Sequence, residues 1–86
     1  MMIFYVYMLL SADKSTSYVG YTNNLKKRIE IHNSGKGAKF TRGRKWKLIY
    51  KRRYSSKNEA MKNEYILKKN YTQRKQIKLK FLNKNK

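Results

Sequence analysis

The chain opens on an unbroken apolar run, Ile3 to Leu10, rich in aromatic and β-branched residues and too short for a typical helix. Such a run reads as a central strand covered on both faces. The polar stretch SADKSTS, residues 11–17, has turn composition, and a shorter apolar segment from Tyr18 to Tyr21 follows as the antiparallel partner. The period then changes. Leu25, Ile29 and His32 recur at helical spacing behind Asn23 or Asn24, either of which can cap the helix, and Asn33, Ser34 and Gly35 end it. Residues 34–47 show no period and hold three of the four glycines and six Lys or Arg, which marks a basic loop. Leu48 to Tyr54 reads as a third strand. Ser56-Lys-Asn-Glu59 has the form of a capping box, opening a second amphipathic helix that runs to about Asn70. Thr72 opens a third helix, which carries Ile77, Phe81 and Leu82. The order β-β-α-β-α-α lacks the spacing of repeated βαβ units. The expected architecture is therefore α+β, a small sheet flanked by helices, in one domain over residues 1–83 with a frayed basic tail at 84–86.

Composition narrows the partners. Of 86 residues, 23 are Lys or Arg and only four are Asp or Glu, for a net charge of +19. Self-repulsion of that size weakens a compact state unless a polyanion relieves it. Nucleic acid fits, because neutralising phosphates releases counterions and drives binding without sequence information. A lysine-rich genome would enrich Lys, but it would not deplete acids to four. There is no cysteine, so neither a disulfide framework nor a thiolate zinc site is available. The first apolar run is too short to span a bilayer and has neither the basic start nor the cleavage site of a secretory signal. A cytoplasmic protein with DNA as its partner, RNA as an alternative, and neither a membrane nor a small-molecule cofactor is the expectation.

Several residues sit where folding alone does not call for them. Tyr5, Tyr7, Tyr18 and Tyr21 crowd the first hairpin, although each buried phenol needs a hydrogen-bond partner. On the second helix Leu67, Ala60, Tyr71, Met61 and Tyr65 project onto one broad apolar arc, and Glu64 falls inside it. A carboxylate there is costly unless something offsets its lost hydration. Either Glu64 pairs with Lys68 at i,i+4, or it lines a cleft and holds a divalent cation near a phosphate. On the first helix Arg28 and His32 lie four apart, on one face, beside Leu25 and Ile29. Taken alone, His32 reads as a structural histidine and Arg28 as a solvated cation. Taken together with the tyrosines and Glu64, they can meet at one groove. In the basic loop, Lys36, Lys39, Arg42, Arg44 and Lys45 suit a phosphate backbone, while Phe40 and Trp46 either stack on an exposed base or anchor the loop. Anchoring suits Trp46 better.

Tyr5-Val6-Tyr7, followed after ten residues by Tyr18-Val19-Gly20, resembles the two-part signature of the GIY-YIG nuclease superfamily. The stretch YTNNLKKRIEIHNSGKGAKFTRGRKWKLIY is similar to its small single-domain bacterial branch, and SSKNEAMKNEYILKK to its glutamate-bearing helix. The likeness runs from about Phe4 to Lys69, with Tyr5 standing where the first motif usually has glycine. It implies a three-stranded antiparallel sheet flanked by helices and a phosphodiesterase activity on DNA, flapped or branched DNA included. By the same resemblance Tyr7 and Tyr18 match the motif tyrosines, Gly20 the motif glycine, Arg28 the catalytic arginine, His32 a histidine of several branches and Glu64 the ligand of one Mg²⁺ or Mn²⁺. Tyr7 is then the expected activator of the attacking water, with Tyr18 positioning water or phosphate and His32 tuning the pair. The competing readings are a catalytically weak nucleic-acid-binding module on the same fold, and a basic accessory protein docking on ribosomal RNA or an acidic partner.

Overall fold

A computed structural model describes residues 2–36 and 39–84. Strand β1 (Phe4–Ser11) turns into β2 (Ser17–Thr22), helix α1 (Leu25–Asn33) and a 3-10 turn (Lys39–Thr41) follow, and β3 (Trp46–Tyr54), α2 (Lys57–Lys69) and α3 (Tyr71–Lys84) complete the chain. The three strands form one antiparallel sheet in the order β2-β1-β3. The first strand is central, as its continuous apolar run requires: Val6 to Leu10 are all buried.

Alternation along β1 splits the interior in two. Val6 and Met8 face one side and pack with Val19, Ala60 and Leu67 under α2. Tyr7 and Leu9 face the other and pack with Trp46, Leu25 and Ile29 under α1. A bulge in the β1–β3 pairing lies between Met8 and Leu9, where Met8 opposes Tyr50 and Leu9 opposes Leu48. The bulge gives β3 one extra residue there, Ile49, so that Ile49 and Tyr50 both serve the α2 side while Leu48 serves the α1 side.

The helix ends follow local chemistry. The Asn24 side chain accepts from the Lys27 amide at 3.2 Å and caps α1. At the other end Gly35 takes a left-handed φ of 83°, with its amide on the His32 carbonyl and the Lys36 amide on that of Ile31, which is a Schellman closure. The Ser56 hydroxyl accepts from the Glu59 amide at 3.1 Å and starts α2. Helix α3 begins one residue earlier than its sequence suggests, because Asn70 caps it through the Gln73 amide at 3.0 Å. It continues through Lys84, so the expected tail at 84–86 is helical at its first residue, and 85–86 lie outside the described residues. The apolar arc expected on α2 is narrower than projected. Met61, Tyr65 and Tyr71 are exposed, the last on α3, and the helix buries only Ala60 and Leu67. Among the described residues no helix is long and apolar enough to cross a membrane.

Candidate active site

Tyr7 and Gly20 are direct cross-strand partners. A Cβ built on Gly20 would stand 2.5 Å from the Tyr7 hydroxyl oxygen, so this position admits no side chain while the ring stays in place. The ring is fixed: Tyr7 is 2% exposed and its hydroxyl bonds the His32 Nε2 at 2.9 Å. On the other side of the imidazole, Nδ1 meets the Thr41 Oγ1 at 2.9 Å, and the Trp46 indole N–H donates to the Thr41 carbonyl at 2.9 Å. A buried relay thus runs from the loop through His32 to the phenol. Its members Tyr7, His32 and Thr41 come from a strand, a helix and a 3-10 turn. Gly20→Ala should destabilise the fold by about 1–3 kcal/mol, since the pinned ring cannot yield. Urea unfolding measures the loss, and unchanged stability would mean that Tyr7 moves freely.

Tyr7, Tyr18, Gly20, Arg28 and Glu64 line one cleft of about 540 Å³, together with Thr22, Asn23 and Lys57. The topology explains how Glu64 arrives. Helix α2 packs on the sheet face opposite α1, yet β2 is an edge strand, and the cleft wraps that edge. Glu64 lies on the helix stripe between the buried Ala60 and Leu67, partly shielded, and its Oε1 stands 3.5 Å from the Lys68 ammonium. Glu64 thus makes the i,i+4 pair and also lines the cleft. The pair contributes little by itself, because Lys68 is half exposed.

Burial pushes the Tyr7 phenol well above the usual tyrosine range. The neighbouring Tyr18 and, more weakly, Glu64 push the same way, and Arg28 opposes them. Burial likewise holds His32 below the usual histidine range, with the Arg28 charge adding to it. At neutral pH the pair is therefore a neutral phenol on a neutral imidazole. The folded state keeps the Tyr7 proton where an unfolded tyrosine has lost it, so this contribution to stability is intact below pH 10 and declines above it. Tyr7→Phe should make thermal stability fall less steeply between pH 10 and 11. An unchanged slope would show that Tyr7 titrates as an exposed phenol.

The basic loop is placed differently from the cleft. Lys36 and Arg42 are exposed, and the Lys39 side chain lies outside the described part of the chain. Arg44 donates to the Thr16 Oγ1 at 2.6 Å and Lys45 to the Asn33 carbonyl at 3.3 Å, so both also fasten the loop. None of the four whose side chains are described, Lys36, Arg42, Arg44 and Lys45, lines the cleft. The loop touches it through aromatics, with Phe40, 55% exposed, stacked on Tyr18 at 6.1 Å between centroids. Trp46 is buried and anchors the loop. Of the two flanking tyrosines, Tyr21 lines the cleft and Tyr5 does not. Sequence reasoning passed over Lys57 and Thr41. Lys57 was within reach, since it precedes Glu64 by seven residues and so shares its helix face. Thr41 had no such signal, because its partners come from the loop's tertiary path.

The edge of this α+β sheet thus gathers two hairpin tyrosines, a helix arginine and a glutamate from the next helix. The GIY-YIG catalytic domain matches residues 3–78, and the chain belongs to that family, which is made up of endonucleases that generally use divalent metal ions. Within it the chain groups with the small bacterial UPF0213 proteins. It is 46% identical to one from Pediococcus acidilactici over 85 residues, covering 95% of this chain and 83% of the relative. To one from Oceanobacillus iheyensis it is 49% identical over 65 residues, 74% of each. The solution NMR structure of a UPF0213 protein from Bacillus halodurans has the same fold, with a TM-score of 0.52 at 43% identity, covering 87% of this chain and 80% of that one.

Proposed function

We propose that this protein is a divalent-metal-dependent DNA endonuclease, structure-selective or weakly sequence-specific, and that its active site is the cleft at the β2 edge. The observation that carries this reading is the meeting in one cleft of Tyr7, Tyr18, Arg28 and Glu64, drawn from both faces of the sheet. A packed core has no use for that set.

The donor chemistry of the cleft fits one hard cation. Among the described residues no group of three or more His, Asp or Glu side chains gathers anywhere, so a site here has Glu64 as its single carboxylate, with most of the remaining ligands being waters and substrate oxygens. When bound, such an ion neutralises phosphate charge and lowers the pKa of a water. The chain's own residues do the rest. Arg28 offers a planar, permanent charge to the non-bridging phosphate oxygens. In the tautomer whose Nδ1–H is donated to Thr41, the Tyr7 oxygen takes a proton from the attacking water as its own proton passes to the His32 Nε2. A phenol held far above neutrality is a poor base when it must ionise first; the relay replaces prior ionisation by a transfer concerted with attack, to an imidazole that burial and the Arg28 charge also keep neutral at rest. Tyr18 borders the same space and positions water or phosphate. Among the described loop side chains, Lys36 and Arg42 are the cations left for the substrate backbone; Arg44 and Lys45 shape the loop as well.

Glu64→Gln should abolish the response of cleavage to Mn²⁺. It should also abolish the broadening by Mn²⁺ of the Tyr7 and His32 ring signals in proton NMR spectra. An unchanged titration would leave Glu64 with the Lys68 pair alone. The function itself is tested by incubating the protein with flapped, branched and plain duplex DNA in Mg²⁺ or Mn²⁺ and mapping the products. Binding without any cleavage would favour the nucleic-acid-binding module, for which the raised Tyr7 phenol is the supporting observation.

A further inference from the structure

The last acid in the sequence is Glu64, and everything beyond it carries only positive charge. Helix α3 holds Arg74, Lys75, Lys78, Lys80 and Lys84, and buries no residue fully. These cations are not spread evenly around it. Tyr71, Arg74, Lys75 and Lys78 share one face at i, i+3, i+4 and i+7, whereas Lys80 and Lys84 lie on the opposite side. The first face looks onto the β1–β2 hairpin across a groove of about 380 Å³, whose other wall includes Ser15 and Ser17 and which no carboxylate lines. Arg74 is committed to the end of α2, where it donates to the Leu67 carbonyl at 2.9 Å and to that of Lys68. Ser15 is committed to Asp13 at 2.8 Å. Lys75 and Lys78 have no carboxylate partner, since among the described residues the one ion pair is Lys68–Glu64. Turning like charges into a groove opposes folding, and an anion placed there reverses the sign.

The groove and the cleft are joined by a single strand. Ser17 opens β2 on the groove side, and the cleft takes up the same strand from the next residue, Tyr18, through Thr22. We infer that the α3 groove is a second nucleic-acid site, which holds the phosphate backbone of duplex DNA beside the cleft through Lys75 and Lys78. It rests on the nuclease reading for its substrate, but it concerns which arm of that substrate is held and has its own chemistry. Phosphates are the fitting ligand because the cations are flexible point charges with a hydroxyl opposite and no planar fork, suited to a backbone more than to base edges.

The test uses the full chain and a 20-base-pair duplex in EDTA, so that no cleavage is needed. Affinity is measured against salt for wild type, Lys75→Gln/Lys78→Gln and Lys80→Gln/Lys84→Gln. Both double variants lose the same charge and differ only in the face that loses it. The expected result is a log K versus log salt slope shallower by about 1.8 in the first variant, at about 0.9 per phosphate contact, with the wild-type slope kept in the second. Equal losses in the two, or no loss in the first, would overturn the inference and leave only diffuse attraction. Matching thermal melts exclude misfolding as the cause. The outcome is separable from the nuclease reading. A chain that binds through this face and cuts nothing rejects the nuclease, while one that cuts DNA with an unaltered slope rejects the groove.

Discussion

Arg28→Ala should lower Mg²⁺-dependent cleavage of DNA by about a thousandfold, the scale on which an arginine contributes to phosphoryl transfer. Arg28 is an exposed residue of α1 that reaches the cleft. Its removal leaves no cavity, and surface changes of this kind cost about 0.5 kcal/mol or less in stability. It also removes one of 23 cations, so affinity should stay within about tenfold of wild type. Loss of rate with binding and melting preserved is the signature of a group that acts on the transition state and not on docking. Arg28→Lys keeps the charge without the planar fork and should recover only a small part of the rate. Single-turnover cleavage alongside fluorescence anisotropy checks both. Equal cleavage by wild type and Arg28→Ala would remove the arginine, and with it the proposed site.

Much of this was legible before the fold was known, and the reasons differ from one residue to the next. Strand β1 was plain because burial on both faces leaves an unbroken apolar run. Glu64 stood out because an acid on a buried stripe conflicts with local patterning. Tyr7, Tyr18 and Arg28 line one cleft with it, whereas His32, expected in the same groove, is buried behind Tyr7, and its neighbours on the stripe differ from the projection. Met61 and Tyr65 are apolar enough to be inside, yet α2 packs only its Ala60–Leu67 line on the sheet. Strand β3 begins at Trp46, two residues before its apolar pattern does. There the Asn33 side chain pairs with the Trp46 backbone, its Oδ1 accepting from the amide at 2.6 Å and its Nδ2 donating to the carbonyl at 3.1 Å, and Ser11 stands opposite as the strand partner. Such side-chain pairing leaves no trace in periodicity. The His32–Thr41 contact was hidden for the same reason, since a loop sets it and not an element.

Trp46→Ala should cost about 3–5 kcal/mol, a large share of the 5–15 kcal/mol that holds a typical domain together. Trp46 is 5% exposed, packs with Tyr7 and Leu9 and stands 6.5 Å from the Tyr18 ring. Its removal therefore opens the core beneath the site. Trp46→Phe separates packing from positioning. It keeps most of the apolar volume but removes the N–H that the Thr41 carbonyl accepts, a loss of about 1 kcal/mol in stability. The Thr41 backbone then loses this anchor, which loosens its hold on His32, so the imidazole holds the Tyr7 hydroxyl less closely in line. The expected outcome is a melting midpoint lowered by only about 4–8 °C, together with a Tyr7 titration that moves down toward that of an ordinary phenol as water reaches the ring, and a reduced cleavage rate at unchanged DNA affinity. Ultraviolet titration of the tyrosines, with Tyr7→Phe as the reference, reads the first effect, and single-turnover kinetics reads the second. If Trp46→Phe alters neither, Trp46 only fills space, and Tyr7 owes its orientation to the Gly20 contact and the walls of the cleft.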